Sequence, residues 1–359
     1  MKCTPPVPPS ARRQRGAALL MALIIVTLVA TLATSMVWQQ WRAVQVESAE
    51  RSRSQSAWIL AGALDWARII LKEDARPTAD GRSTIDHLGE PWAVPLAEAR
   101  LSTFLAVDDS QADDAPDTFL SGRIEDAQAR YNLANLVPAG NKQVDAAQLL
   151  VFKTLCRNIT VADTVADTIA EGMVKASRSL PKTVARSGAP APSASAAAAA
   201  ASTASAVTGV ESDKDAPLYP TRLSDLAWLG VDAETLKRLE PYVWLHPRGE
   251  PTPVNANTAS REVLAAVISN IDMGSAERVI QARARPFRNL ADISTAAGVD
   301  SGSVTAANVS VQTSYFIVSG QVRLAGRILE QRSLLERNTS GVATVRPLLR
   351  ESFNSAEPL

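Results

Sequence analysis

The sequence predicts an α+β protein: one very long N-terminal helix, antiparallel strands, and a large helical region set between them. Three observations carry that prediction. An uncharged apolar run near the N-terminus passes into amphipathic helical spacing without a proline. The late segment "TSYFIVSGQVRLAGRILEQRSLLER" alternates apolar and polar side chains, the period-two mark of strands, and "GVATVRPLLR" follows it, giving two or three antiparallel strands. From about Val137 to Asn308 the spacing is mostly helical instead. A chain of 359 residues is long enough for two modest domains, each with its own core.

Ala17 to Trp38 contains no ionisable side chain, and Lys2, Arg12, Arg13 and Arg15 precede it with no acidic residue among them. A helix of that length rises about 1.5 Å per residue, enough to span a hydrocarbon core of about 30 Å. Two other readings compete with a retained processed segment: a secretory signal cleaved near "ATLATSM", and a plain uncleaved anchor. The basic residues hold the N-terminus in the cytoplasm, so that the rest of a bacterial chain faces the periplasm. Past the apolar run, Val37, Trp41, Val44, Ala57, Leu60, Ala61, Leu64, Ile69 and Leu71 keep mostly helical spacing. The helix is therefore expected to end near Arg76, before Pro77, after about 60 residues or about 90 Å. The competing reading breaks it at "ESAERSRSQS".

"SGRIEDAQARYNLANLVP" begins like a strand and then places Asn132 and Asn135, whose amides can satisfy backbone groups in a tight turn. The helical region follows in pieces such as "VDAAQLLVFKTLCRNI", "DAETLKRLEPYVWL" and "SAERVIQARARP", interrupted by an Ala, Ser and Pro-rich loop at about 185–216 that has few anchors for a core. His87 and His246 sit in no recognisable catalytic or metal-ligand arrangement, so no enzymatic activity is expected. The aspartates of "VDDSQADDAPD" have the oxygen chemistry of Ca²⁺ ligands, but a solvated acidic loop is the preferred reading and no spacing fixes a site, so calcium ligands are left unassigned. Cys3 and Cys156 are the two cysteines, and loss of the leader would remove the first, so no internal disulfide is expected in the mature fold.

The basic leader, Gly16, the uncharged run and the long amphipathic helix resemble the N-terminus of type IV pilins and of the pseudopilins of type II secretion. The resemblance implies that prepilin peptidase cuts between Gly16 and Ala17 and methylates Ala17. Most members carry Glu as the fifth mature residue; here it is Met21. A carboxylate in an apolar helix needs a partner, and in the family it is thought to meet the N-terminal amine of the subunit above. A subunit without it has no electrostatic reason to sit below another, so Met21 marks a tip position, unless that position has merely drifted in an ordinary pilin. The same absence, together with "YNLANL" and the helical insertion, is similar to the protein K family of minor pseudopilins.

That resemblance implies a pilin-like long N-terminal helix packed on an antiparallel sheet, with an inserted all-helical domain. It divides the chain into a leader (1–16), a transmembrane part (17–38), a first pilin-like part (39–136), the insertion (137–308) and C-terminal strands (309–359). Implied partners are the minor pseudopilins I and J, prepilin peptidase, the inner-membrane assembly platform and the membrane. The implied role is to initiate and cap the pseudopilus at the inner membrane for protein export. Calcium occurs in some pseudopilins. Within the insertion, "VNANTASREVLAAVISNIDMGSAERVIQARARPFRNLADI" resembles the helix-hairpin-helix unit of competence DNA-binding proteins, which gives a DNA-uptake protein as the alternative. The hairpin holds only Gly274, flanked by Asp272 and Glu277, which repel phosphate. Removal of the leader also leaves 33 basic against 37 acidic residues, so a packing scaffold is the preferred reading and no nucleic acid is expected.

Overall fold

The computed structural model describes residues 14–76, 85–101, 118–138, 141–177, 217–324, 327–339 and 342–356. The leader before residue 14, the acidic stretch 107–117 and the loop at about 185–216 lie outside the described residues.

Helix α1 runs unbroken over Gln14–Asp74, 61 residues, so there is no break at "ESAERSRSQS". Every described side chain of α1 up to residue 48 is exposed, and Ser56 is its first buried residue. From there Leu60, Leu64, Ala67 and Leu71 turn one face inward at alternating intervals of four and three. That face lies on a five-stranded antiparallel sheet in the order β1-β2-β7-β8-β9. The strands are β1 (Leu96–Arg100), β2 (Thr118–Asp126), β7 (Tyr315–Leu324), β8 (Arg327–Asn338) and β9 (Thr344–Ala356). Leu64 and Leu71 pack with Trp92, Phe316 and Leu335, and Leu60 with Leu120, Val322 and Leu329. Each buried leucine contributes about 2 kcal/mol. Gly122 and Gly320 pair directly across β2 and β7, and a Cβ at Gly320 would stand 3.0 Å from Leu60, so glycine lets the helix close on the sheet here.

Between β2 and β7 the chain leaves the sheet and builds the helical region. Its helices are α2 (Ala146–Asn158), α3 (Asp163–Ser177), α4 (Ala233–Leu239), α5 (Arg261–Val267), α6 (Met273–Ala282) and α7 (Leu290–Ala297). Asp145, Asp232, Ser260, Asp272 and Asn289 each cap a helix N-terminus with a side-chain oxygen, which explains why the short helices start where they do. Gly298 closes α7 at φ +74°, a conformation that favours glycine. One continuous core runs from Tyr131 and Leu133 through Phe152, Ile169 and Leu264 to Ile293 and Val309. Two short parallel pairs fasten this region to itself. These are β3 (Tyr131–Asn132) with β4 (Val243–Trp244), and β5 (Val254–Asn255) with β6 (Val309–Ser310). The helical region meets the sheet on the face away from α1, where Trp244 packs with Tyr315, Ile317 and Leu334.

Candidate functional site

The residues singled out from the sequence fall into two separate places. Gly16, Ala17 and Met21 lie on the first turns of α1; Ala17 is exposed, and Met21 is 69% exposed. α1 is long and apolar enough to cross a membrane. The other place is a polar seam where α1, the sheet and the helical region meet.

The seam begins with the "YNLANL" turn. The Asn132 Oδ1 accepts from the Ala134 N–H (3.0 Å) and the His246 N–H (3.2 Å), while its Nδ2 donates to the Glu250 carbonyl (2.8 Å) and Thr252 Oγ1 (3.1 Å). Asn135 brackets Thr252, donating to its carbonyl at 3.0 Å and accepting its N–H at 2.8 Å. Both amides thus satisfy backbone groups, and most of those groups lie far along the chain. In "VNANTA", Asn257 holds both backbone groups of Phe287 (2.9 and 3.1 Å). Asn255 Nδ2 donates to the Asp86 carbonyl (3.1 Å) and Asp126 Oδ2 (2.9 Å).

Asp126, at the end of β2, is buried, and its hydrogen-bond donors among the described residues are uncharged. Its carboxylate accepts from the Gln128 N–H (2.7 Å), Thr313 Oγ1 (2.7 Å), Asn255 Nδ2 and Thr258 Oγ1 (2.6 Å). Burial pushes its pKa up to about 6, against the pull of those donors. Thr313 carries the chain of bonds onward, its N–H donating to Asp86 at 2.7 Å. Arg337, 2% exposed, donates to Asp86, to Asp74 at the end of α1 (2.7 Å) and to the Thr313 carbonyl (2.9 Å), and stacks over Phe316 at 4.7 Å. Burial raises Asp74 and Asp86 from the usual carboxylate range, with Arg337 opposing it. Glu90, bonded to the Trp92 indole, is raised by burial to about 7.

Asp74, Asp86 and Glu90 bring ligand oxygens within 4.8 Å of one another. Arg337 is the cation two of them already face, so the cluster is built as an ion-pair junction. The acidic stretch considered for calcium lies outside the described residues. His246 is a turn builder: its Nδ1 accepts the N–H groups of Arg248 and Glu250, both at 3.2 Å, and burial lowers its pKa. In the hairpin between α5 and α6, Asp272 accepts the Ser275 N–H at 2.7 Å, placing a carboxylate at the helix N-terminus where a DNA-binding hairpin would receive phosphate. Cys156 is free and buried.

Of the seam residues, sequence reasoning singled out Asn132 and Asn135 but missed Asp86, Thr313 and Arg337. Arg337 sits at the end of an alternating strand, where an arginine ordinarily faces solvent. The one signal available was Asp126 itself, the acid that closes β2 just ahead of the turn.

A long helix exposed along its apolar half, docked on an antiparallel sheet through its second half and carrying a helical insertion, defines a pilin-like subunit. Two family models match, both described as type II secretion system protein K, over residues 129–248 and 254–314, together half of the chain. Type II secretion system protein K of Pseudomonas aeruginosa is 29% identical, with 97% of this chain and 96% of the relative covered. That of Dickeya chrysanthemi is 27% identical, with 94% and 99% covered. The fold is similar to a chain in the crystal structure of the GspK-GspI-GspJ complex from enterotoxigenic Escherichia coli. The TM-score is 0.57 and the identity 19%, over 86% of this chain and 99% of that one. The chain belongs to the type II secretion system protein K family, and it is a minor pseudopilin.

Proposed function

We propose that this subunit starts the pseudopilus and occupies its tip, anchored in the bacterial inner membrane with its N-terminus cytoplasmic and its folded body periplasmic. Prepilin peptidase cuts between Gly16 and Ala17 and methylates Ala17, and the apolar half of α1 then serves first as anchor and later as filament core. Minor pseudopilins I and J assemble beside it, delivered by the inner-membrane assembly platform. The helical insertion, 137–308, blocks the space above, while 39–136 and 309–359 form the pilin-like body. The role is structural and uses no catalysis.

The observation that carries this reading is Met21 on a bare apolar helix, where a subunit stacked beneath another would present a carboxylate. The similarity to a chain of the GspK-GspI-GspJ complex supports the choice of partners. N-terminal sequencing of the mature protein is the test. Methylated Ala17 is the expected result, and an N-terminus near Thr34 or Ser35 would replace the pathway with conventional signal cleavage. Salt-dependent DNA binding by the purified full chain would overturn the structural role in favour of DNA uptake.

A further inference from the structure

We propose that Gly62 is the recess into which a partner's apolar helix inserts a side chain, making Trp58–Gly62–Trp66 the specificity-determining contact of α1. The proposal rests on the reading above and adds to it the place and chemistry of the contact.

The first observation is a glycine that the fold of this chain does not explain. Gly62 lies in the interior of α1, where glycine costs stability relative to alanine. The glycines Gly122, Gly172 and Gly320 each avoid a clash within 3.0 Å, whereas a Cβ at Gly62 would meet nothing within 4 Å. Gly62 also has no positive φ to account for it. Among the described residues nothing accounts for the stability the helix gives up there.

The second observation is what flanks it. Residues four apart share a helix face, so Trp58 and Trp66 stand one turn to either side of Gly62. They are 79% and 57% exposed, and Ile69, on the same face, is 59% exposed. This stripe lies opposite Leu60, Leu64, Ala67 and Leu71, which bury α1 on the sheet. Two indoles with a gap between them form walls around a hole, the shape that takes a knob from a neighbouring helix.

The occupant follows from charge and direction. Arg51 is paired with Glu47, Arg68 with Asp65, and Arg76 with Glu73, so these charges flanking the stripe are matched within α1. What remains for a partner is apolar. The helix that carries the stripe runs on, through the polar turns of 47–56, into the exposed apolar segment beginning at Ala17, so a membrane-anchored helix running parallel to α1 reaches the stripe from the same bilayer. The partner is therefore another membrane-anchored pilin-like helix presenting one medium-sized apolar side chain. A glycine at the crossing lets two such backbones approach closely.

The test uses the full chain coexpressed with minor pseudopilins I and J in membranes. A photo-crosslinking aromatic residue replacing Trp66, one turn from the recess and leaving Gly62 open, should capture the N-terminal helix of one of them. Gly62→Leu fills the recess without touching this chain's own packing, and should reduce copurification by at least about tenfold while leaving the melting temperature of the isolated subunit unchanged or higher. If the wild-type chain copurifies with I and J and Gly62→Leu does so equally well, the inference is overturned and the assembly reading stands. If the wild-type chain does not copurify, the assembly reading fails, and the crosslink alone decides. Capture of another membrane-anchored helix supports the recess, whereas capture of a second copy of this chain, or of nothing, overturns it.

Discussion

Replacing Arg337 with methionine removes the guanidinium that pairs with both Asp74 and Asp86, while keeping most of the apolar stem that lies over Phe316. Breaking a buried ion pair by deleting one partner costs about 3–5 kcal/mol, because the remaining charge has no solvent to replace what it lost. Here two carboxylates are stranded and the Thr313 carbonyl loses a donor, so the upper part of that range is expected at pH 7. The loss must shrink with acid. Burial already holds both carboxyls above the ordinary aspartate pKa of 3.8, and removal of Arg337 takes away the interaction that opposes it. The folded variant therefore binds protons that the unfolded chain does not, and its stability rises as pH falls from about 7 towards about 4. Urea unfolding of the full chain in detergent, followed by circular dichroism at pH 7 and pH 5, measures both terms. A loss under about 1 kcal/mol at pH 7, or the same loss at both pH values, would refute the ion-pair account of this junction.

Glu90 gives a second pH signature. Its folded pKa of about 7 lies above the ordinary 4.5, so its contribution to stability grows as pH falls through 7; Glu90→Gln should lose that part of the pH dependence of the melting temperature, and an unchanged slope would contradict it. The same substitution at two glycines should act in opposite directions. Gly172→Ala places a Cβ 2.9 Å from Leu229 and should cost a net of about 1 kcal/mol, whereas Gly62→Ala meets nothing and should gain up to about 1 kcal/mol, both read from urea midpoints. Met21→Glu should impair filament initiation and secretion in cells; normal export would show that the missing carboxylate is unimportant.

The parts of the fold legible in the sequence were those written in local periodicity. α1 was readable because no charge interrupts residues 16–41 and no proline occurs from there to its end. β8 and the second half of β7 were readable because apolar side chains there alternate with polar ones, whereas Tyr315–Ser319 is buried on both faces, between α1 and the helical region. β9 was a weaker signal, since Pro347 sits at an irregularity in its pairing with β8. The two-residue pairs β3–β4 and β5–β6 left no mark, because two residues carry no period. At the seam, Asn132 and Asn135 announced a backbone-satisfying role by residue type. Their partners Glu250 and Thr252 could not be foreseen, lying well over a hundred residues away. Arg337 and Asp86 are 251 residues apart, and only tertiary packing brings them together.

The strand order β1-β2-β7-β8-β9 also sets a timetable. During synthesis β2 emerges long before β7, and the inner face of α1 has only the β1–β2 hairpin to lie on until β7 and β8 arrive. Arg337, which ties off the end of α1, comes later still. The helical region has its own core and its own caps. It can therefore become compact while the chain on either side still waits, and its compaction shortens the gap that β2 and β7 must close. The insertion is thus a splint as well as an addition: by folding first, it brings the two halves of an interrupted sheet within reach of each other.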